Sequence, residues 1–581
     1  MPRSLLLGAL LASALLVPAT LSAQDSVIVI DPSAPFADSA LTGGPPIEVV
    51  RRAVAAYNDS ATTRIAGDLA VPTGAAMPGP LAVYGGTLRV SGAVDGAVVV
   101  INGTLALDSN ATVGGDVLVV GGRLHRSAGA VINGEIQVYW DAAPVERQPD
   151  GQLTLRPRTR LLSQLGGARA RFGVGPLQAT LMASTGGTYN RIEGLPIVLG
   201  PSLTWRPDST QALRLDLRGI VRTVGTGSQL RSDVGYSARL EWRRRNPRVG
   251  LVVGVHSRIV PMRSRTLSAM ESGWSAFLLQ RDYHDYFESR GISGEVFGYP
   301  IRQLRLGIVV GRDQESTVLA SDPWSLFRNR DRWRPNPPID DGHYVHLAAR
   351  LRYDTRNSND NPSSGWFGDI TVEHSNSDDV SPLQLPSGVR GSIPPGNGYA
   401  FNRLSFDLRR YTRVGPSLRV AARVTGGGWL GGDPLPVQER LALGGPDLLP
   451  GYGFRAVNCA PNGVVDPAQT ALCDRMLAAQ LELRTRVGID PGRILPKPVS
   501  DAIERVVGLR EADLVFLGDA GMGWLSGDGP GRVPNNRIPV LNEWRYDVGG
   551  GLDTGTLGIY LAKALTGREP LRLFVRLQHR F

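Results

Sequence analysis

Apolar and polar residues alternate in strand-length segments from about residue 150 to the C-terminus. Gln211-Ala212-Leu213-Arg214-Leu215-Asp216-Leu217-Arg218-Gly219 alternates, as does Tyr236-Ser237-Ala238-Arg239-Leu240-Glu241-Trp242. Tyr344 to Tyr353 and Leu404 to Arg410 follow the same rule. A period of two gives a β-strand with one apolar and one polar face. The last segment does this most fully. Leu571, Leu573, Val575, Leu577, His579 and Phe581 share one face, and Arg572, Arg576, Gln578 and Arg580 share the other. Some connections are short (245–248, 414–417) and others long and polar (312–342, 376–398). Short turns at one end and long loops at the other predict an all-β fold, a transmembrane antiparallel β-barrel. About 430 residues, at roughly 25–30 per strand and connection, give about 16 strands around a lumen. An Arg facing lipid near the midplane would cost about 2–4 kcal/mol, so the Arg faces belong to the lumen. Trp242, Tyr299 and Trp366, near strand ends, suit interfacial aromatic girdles.

The N-terminal part reads differently. Residues 1–23 have the form of a secretory signal: Arg3, an apolar core from Leu5 to Leu16, and Leu21-Ser22-Ala23 before the cleavage point. Residues 24–62 are a loose Pro/Ser/Asp segment followed by a short helix, with Ile47, Val50, Val54 and Tyr57 at helical spacing. In 63–145 similar units start at Gly86, Gly103 and Gly122, with Val94, Val98, Val100, Val113, Val117 and Val119 alternating inside them. Short strands at a fixed small period, turned by Gly, predict a small β-helix or solenoid. A Gly-rich β-sandwich is the alternative. The repeat resembles the bactofilin-like, polymer-forming β-helix modules, and that resemblance implies self-association.

Composition narrows the chemistry. Net charge is +10, and apart from Lys497 and Lys563 the basic residues are Arg. They recur on strand faces rather than in a tail or patch, which argues against nucleic acid as a partner. Cys459 and Cys473 are the two cysteines, and an exported chain would join them as a disulfide. No metal-ligand spacing, nucleophile elbow or phosphate-binding loop is present, so neither a metal, a cofactor nor an enzymatic activity is expected. His284-Asp285, between Tyr283 and Tyr286, reads as a loop or girdle pair rather than a catalytic dyad.

One stretch is neither strand nor helix: Glu439 to Arg455, rich in Gly and Pro and set between two strand segments. Long ordered loops inside compact folds tend to be functional. Residues 340–581 resemble the barrel domain of the bacterial surface antigen superfamily, which includes BamA, TamA and the two-partner secretion translocators. Asp354, Arg356 and Gly365 resemble its strand-turn-strand motif, and Gly444, Gly445, Gly451 and Tyr452 its inward-folded loop. Gln480 to Arg484 and Phe516 to Gly521 resemble wall strands, and Phe581 resembles the terminal aromatic insertion signal.

The resemblance implies a bacterial outer-membrane location, with the N-terminal module periplasmic. It implies outer-membrane lipid and unfolded outer-membrane or exported proteins as partners, and a role in protein insertion or translocation. It also implies that a loop Arg reaches an acidic wall residue, here Asp519 near Glu482. Pro450 stands where that Arg is expected. Arg455 then takes the role, or is a solvated loop residue. The family's transport-associated α/β domains are not apparent in 24–145, which leaves a pore-forming or structural barrel as the alternative function.

Overall fold

The computed structural model describes residues 47–581 apart from 140–142, 156–166, 225–233, 460–470, 501–508 and shorter loop stretches. The expected signal and loose segments before residue 47 lie outside the described residues. The chain forms two compact units, each described by itself.

The N-terminal unit is a parallel β-solenoid. Its strands form one five-stranded and two four-stranded parallel sheets. Leu81 pairs with Val98, Val98 with Val117 and Val117 with Ile136, so one coil takes 17–19 residues. Val83, Leu88, Val94, Val100, Leu105, Val113 and Val119 fill the interior. The glycines that mark the repeat are stacked at one corner. A Cβ on Gly122 would overlap the carbonyl oxygen of Gly103, and one on Gly103 that of Gly86. Asp side chains brace the coils, since Thr87 N donates to Asp68 Oδ1 (2.7 Å) and Glu135 N to Asp116 Oδ1 (2.8 Å). The helix α1 (Ile47–Asn58) covers the outer face of the five-stranded sheet with Val50, Ala53 and Tyr57. A hairpin of Val145–Arg147 and Leu153–Leu155 completes the cover, tied to α1 by paired hydrogen bonds between Asn58 and Leu153, both 2.8 Å.

The second unit is one antiparallel sheet of seventeen strands in chain order. They are β1 (Gly167–Val174), β2 (Leu177–Ser184), β3 (Ile197–Trp205), β4 (Gln211–Val221), β5 (Val234–Arg244) and β6 (Val249–Pro261). Next come β7 (Tyr286–Ile301), β8 (Leu304–Thr317), β9 (Gly342–Asp354), β10 (Gly365–Ser377), β11 (Tyr399–Arg413) and β12 (Leu418–Gly432). The last are β13 (Arg475–Arg486), β14 (Asp513–Trp524), β15 (Arg545–Asp553), β16 (Gly558–Ala564) and β17 (Arg572–Arg576). The sheet curls into a barrel. Its outward face carries exposed Leu217, Val253, Ile292, Val296, Ile308, Val310 and Leu347, the surface a bilayer requires. Charged residues of the same sheet, among them Glu241, Asp407, Arg423, Glu482, Arg484 and Asp519, are buried on the inward face. Among the described residues no helix is long and apolar enough to cross a membrane.

Most connections at one end are short. The other end carries the long loops, including one with helix α2 (Ala269–Leu279) between β6 and β7. Among the described residues no ladder joins β1 to β17. The first strand pairs with β2 alone and the last with β16 alone.

Gly122→Ala should break the solenoid stack without touching the barrel. The expected result is loss of protease resistance in residues 47–155, with the barrel's resistance to unfolding by heat in detergent unchanged.

Candidate functional site in the barrel lumen

The connection from β12 to β13 folds into the barrel. Gly444 and Gly445 have φ of +111° and +113°, which side chains rarely adopt, and they turn the chain inward. Leu443 bridges to Val457 and Leu441 to Cys473, and Cys473 is disulfide-bonded to Cys459. Leu441, Leu443, Leu448, Leu449, Tyr452 and Val457 then pack on Met476, Ala478 and Ala564 of the wall. Glycines make the wall smooth enough for this. A Cβ on Gly521 would stand 3.0 Å from Leu443 Cδ2 and 3.2 Å from Leu449 Cδ1.

Gly451 is pressed closest to the wall. Its N–H donates to Asp547 Oδ2 at 2.6 Å, and a Cβ there would lie 2.6 Å from Ala564 N and 2.7 Å from Asp547 Cβ. Next to it the Tyr452 hydroxyl donates to the carbonyls of Tyr546 (3.1 Å) and Thr566 (2.9 Å). The loop tip is therefore anchored through backbone and tyrosine, with Pro450 beside them.

Arg455 does bind a buried carboxylate, but a different one from the residue expected. It pairs with Asp285, which sits just before β7, and not with Asp519. The reason is local. Arg455 has φ of +58° and its N–H returns to Gly444 O (3.3 Å), so the chain turns back on itself and the side chain leaves the β13–β14 wall. Asp285 is fully buried among three guanidinium groups. Arg191 Nη2 reaches Oδ1 at 2.7 Å, Arg334 Nη1 reaches Oδ1 at 2.6 Å, and Arg455 takes Oδ2. Phe454 packs between the Tyr283 ring (5.6 Å) and the Arg334 guanidinium (5.1 Å). Burial opposes the Asp285 charge, yet Arg455, Arg334 and Arg191 outweigh it and hold the carboxyl well below the usual range. Burial pushes Arg334 down to about 10 against the pull of Asp285. Three separate loops are thus joined at one carboxylate.

Glu482 and Asp519 belong to the C-terminus. Arg580 donates to Glu482 Oε1 at 3.2 Å and to Asp519 Oδ2 at 2.5 Å. Arg484 binds Glu482 Oε2 (2.8 Å) and Asp553 Oδ2 (2.7 Å), and His579 Nδ1 lies 2.9 Å from that Asp553 oxygen. From α2, Glu271 accepts from Arg576 Nε (2.8 Å) and from Leu577 N (2.9 Å). The expected strand running to Phe581 is accordingly corrected. Pairing stops at Arg576, and Phe581 is buried against Tyr411 and Ala421 of β11 and β12. Glu271, Glu482, Asp519 and Asp553 draw the tail inward, and a continued strand would take Arg580 away from the buried Asp519.

The remaining predicted residues have simpler places. Asp354 ends β9, and Gly365 (φ +106°) opens β10. Between them Thr355 N donates to Trp366 O and Trp366 N to Thr355 Oγ1, both 2.9 Å, with Arg356 in the turn. Sequence reading missed Arg191, Glu271, Arg334 and Arg580. Asp285 carried a signal only as a carboxylate beside His284. Nothing in its spacing tied it to arginines on three loops.

The fold and its lumen define an antiparallel β-barrel with an inward-folded loop and, among the described residues, no ladder between its first and last strands. Residues 340–492 match the model of the Omp85 superfamily domain, so the C-terminal barrel contains a domain of that superfamily. Among curated proteins none matches the chain. Solved structures similar to the chain include BamA from Haemophilus ducreyi lacking POTRA domains 1-3. It has 13% identity, 74% of this chain and 80% of that one covered, and a TM-score of 0.40. CdiB from Acinetobacter baumannii has 9% identity, with 69% and 60% covered and a TM-score of 0.29. The copper transporter OprC has 12% identity, with 71% and 62% covered and a TM-score of 0.30.

Arg455→Ala and Asp285→Asn should each lower the barrel's unfolding temperature, and together they should be non-additive by about 1 kcal/mol or more. Arg455→Ala with Asp519→Asn should instead be additive within about 0.5 kcal/mol. Both cycles can be read by heat unfolding in detergent. The sign of the pH effect follows from the depressed Asp285 value. Its stabilisation is complete at neutral pH, is unchanged down to about pH 5, and is lost as pH falls through and below the unfolded carboxylate value of about 4. Loop release on acidification, followed by proteolysis between residues 443 and 455, checks this.

Proposed function

We propose that this protein is an outer-membrane barrel that inserts or translocates protein chains at the seam between β1 and β17. The observation that carries this reading is the last strand. It is five residues long, among the described residues it pairs with β16 alone, and the chain beyond it turns into the lumen. A strand edge with free N–H and C=O groups is a template for an incoming strand. The Omp85 superfamily match over 340–492 supports the same reading. The partners proposed are bilayer lipid on the outward face and unfolded outer-membrane or exported chains at the seam.

The N-terminal solenoid is assigned to the periplasmic side. Among the described residues the end strands of its five-stranded sheet, Thr63–Ala66 and Ile136–Tyr139, each pair on one side only. Such edges support self-association of the module.

A second reading, a pore-forming or structural barrel without client handling, has two observations behind it. Pro450 occupies the loop tip where a translocator of the family would carry Arg. The described residues 47–155 form a solenoid and not transport-associated α/β units.

A photo-crosslinker at Leu573, on the outward face of β17, should capture newly made outer-membrane proteins in growing cells. The same group at Ile308 on β8, equally outward-facing, should capture none. Equal yields at the two positions would remove the seam from the mechanism. In planar bilayers the wild-type barrel should conduct little, and deletion of 443–455 should raise the conductance. A large steady conductance indifferent to that deletion would favour the pore.

A further inference from the structure

We propose that the lumen contains a seat for a phosphate-type oxyanion on β8, β9 and β10. A cavity of about 280 Å³ is lined there by Arg305, Arg350, Arg352, Asp369 and Thr371. The register brings the three arginines together. Arg305 stands directly opposite Arg352, and Arg350 lies two residues along the same face of β9. Like charges set directly opposite across strands repel, so each needs a compensating group. Two have one. Arg305 Nη2 binds Glu295 Oε1 at 2.7 Å, and Arg352 Nε binds Asp369 Oδ2 at 2.8 Å. Both are also held over aromatic rings, Arg305 at 4.3 Å from the centre of Phe297 and Arg352 at 5.9 Å from that of Phe367.

The third, Arg350, has no ion-pair partner among the described residues. Across one ladder it faces Gly307 and across the other Thr371. Gly307 has no side chain of its own, and the Glu295 carboxylate fills that space, 2.9 Å from where a Cβ would stand. The cavity is lined by three guanidinium groups and one carboxylate, Asp369, while Glu295 beside it is paired with Arg305; the Arg350 fork has no ion pair among the described residues, and the Thr371 hydroxyl borders the same space. Guanidinium forks match phosphate oxygens in bidentate geometry, and a lumen wall raises the strength of such a contact. Free phosphate and a phosphorylated lipid headgroup share this chemistry.

The test uses the full chain in zwitterionic detergent at constant ionic strength, with calorimetric titration of two probes. One is inorganic phosphate, and the other a phosphorylated glycolipid in mixed micelles with its dephosphorylated form as blank. Saturable binding of either probe is expected. Arg350→Gln should weaken it roughly tenfold, the loss of one charge-assisted contact. Arg350→Lys should recover part of that loss. Arg239→Gln, which removes a lumenal Arg outside the cavity, should leave binding unchanged, and all variants should keep the wild-type unfolding temperature within a few degrees. Tighter binding of the glycolipid assigns the seat to a headgroup, and binding of phosphate alone assigns it to the free ion. The proposal is overturned if neither probe saturates, if Arg350→Gln binds as well as wild type, or if Arg239→Gln weakens binding equally.

Discussion

A charge buried inside this barrel must find a partner, and the packing of the loops and tail in the lumen follows from that requirement. Moving an unpaired ion out of water costs several kcal/mol, and removing one member of a buried pair typically costs about 3–5 kcal/mol. Asp285 gathers Arg191, Arg334 and Arg455 from three loops. Glu482, Asp519 and Asp553 gather Arg484, His579 and Arg580 from one wall and the C-terminus. Glu271 binds Arg576 and so ties α2 to the last strand. Each contact is local, yet together they decide which segments lie inside the barrel and where strand pairing ends.

The inward loop depends on a second constraint, close approach. Gly451 lies against the β15–β16 wall with no room for a side chain, and Gly521 leaves space for Leu443 and Leu449. The backbone of the loop tip itself donates to Asp547, so no tip arginine is needed at that point. Pro450 is compatible with this form of anchoring, because the contacts come from the residues that follow it. The loop is then held at its tip, by Gly451 and Tyr452 against β15 and β16, and just after it, by Arg455 against Asp285.

These two constraints bear directly on the seam. The last strand could extend only by releasing His579, Arg580 and Phe581 from buried partners. The inward turn of the tail shortens β17 and leaves its outer edge without a ladder to β1 among the described residues. The same ion pairs therefore bury the tail and set where the ladder of β17 ends.

Much of the fold was legible in the chain. Period-two alternation identified the barrel strands and assigned their charged faces inward, and the 17–19-residue glycine period identified the solenoid. Both patterns are local, and each is set by the requirement that every strand separate an apolar face from a polar one. The cysteines and the glycine-rich loop were equally visible. The partners of the charged residues were not. Arg455 could be matched to Asp519 by family resemblance, but a positive φ turns it to Asp285, 170 residues away in the chain. The alternation of the last segment predicted a strand to Phe581, and it stops at Arg576 because tertiary ion pairs outweigh a few ladder hydrogen bonds. Sequence alone determined which faces are polar, since that depends on neighbours along the strand. Only the tertiary structure decided which charge meets which, since that depends on how a curled sheet and its inward loops bring distant residues together.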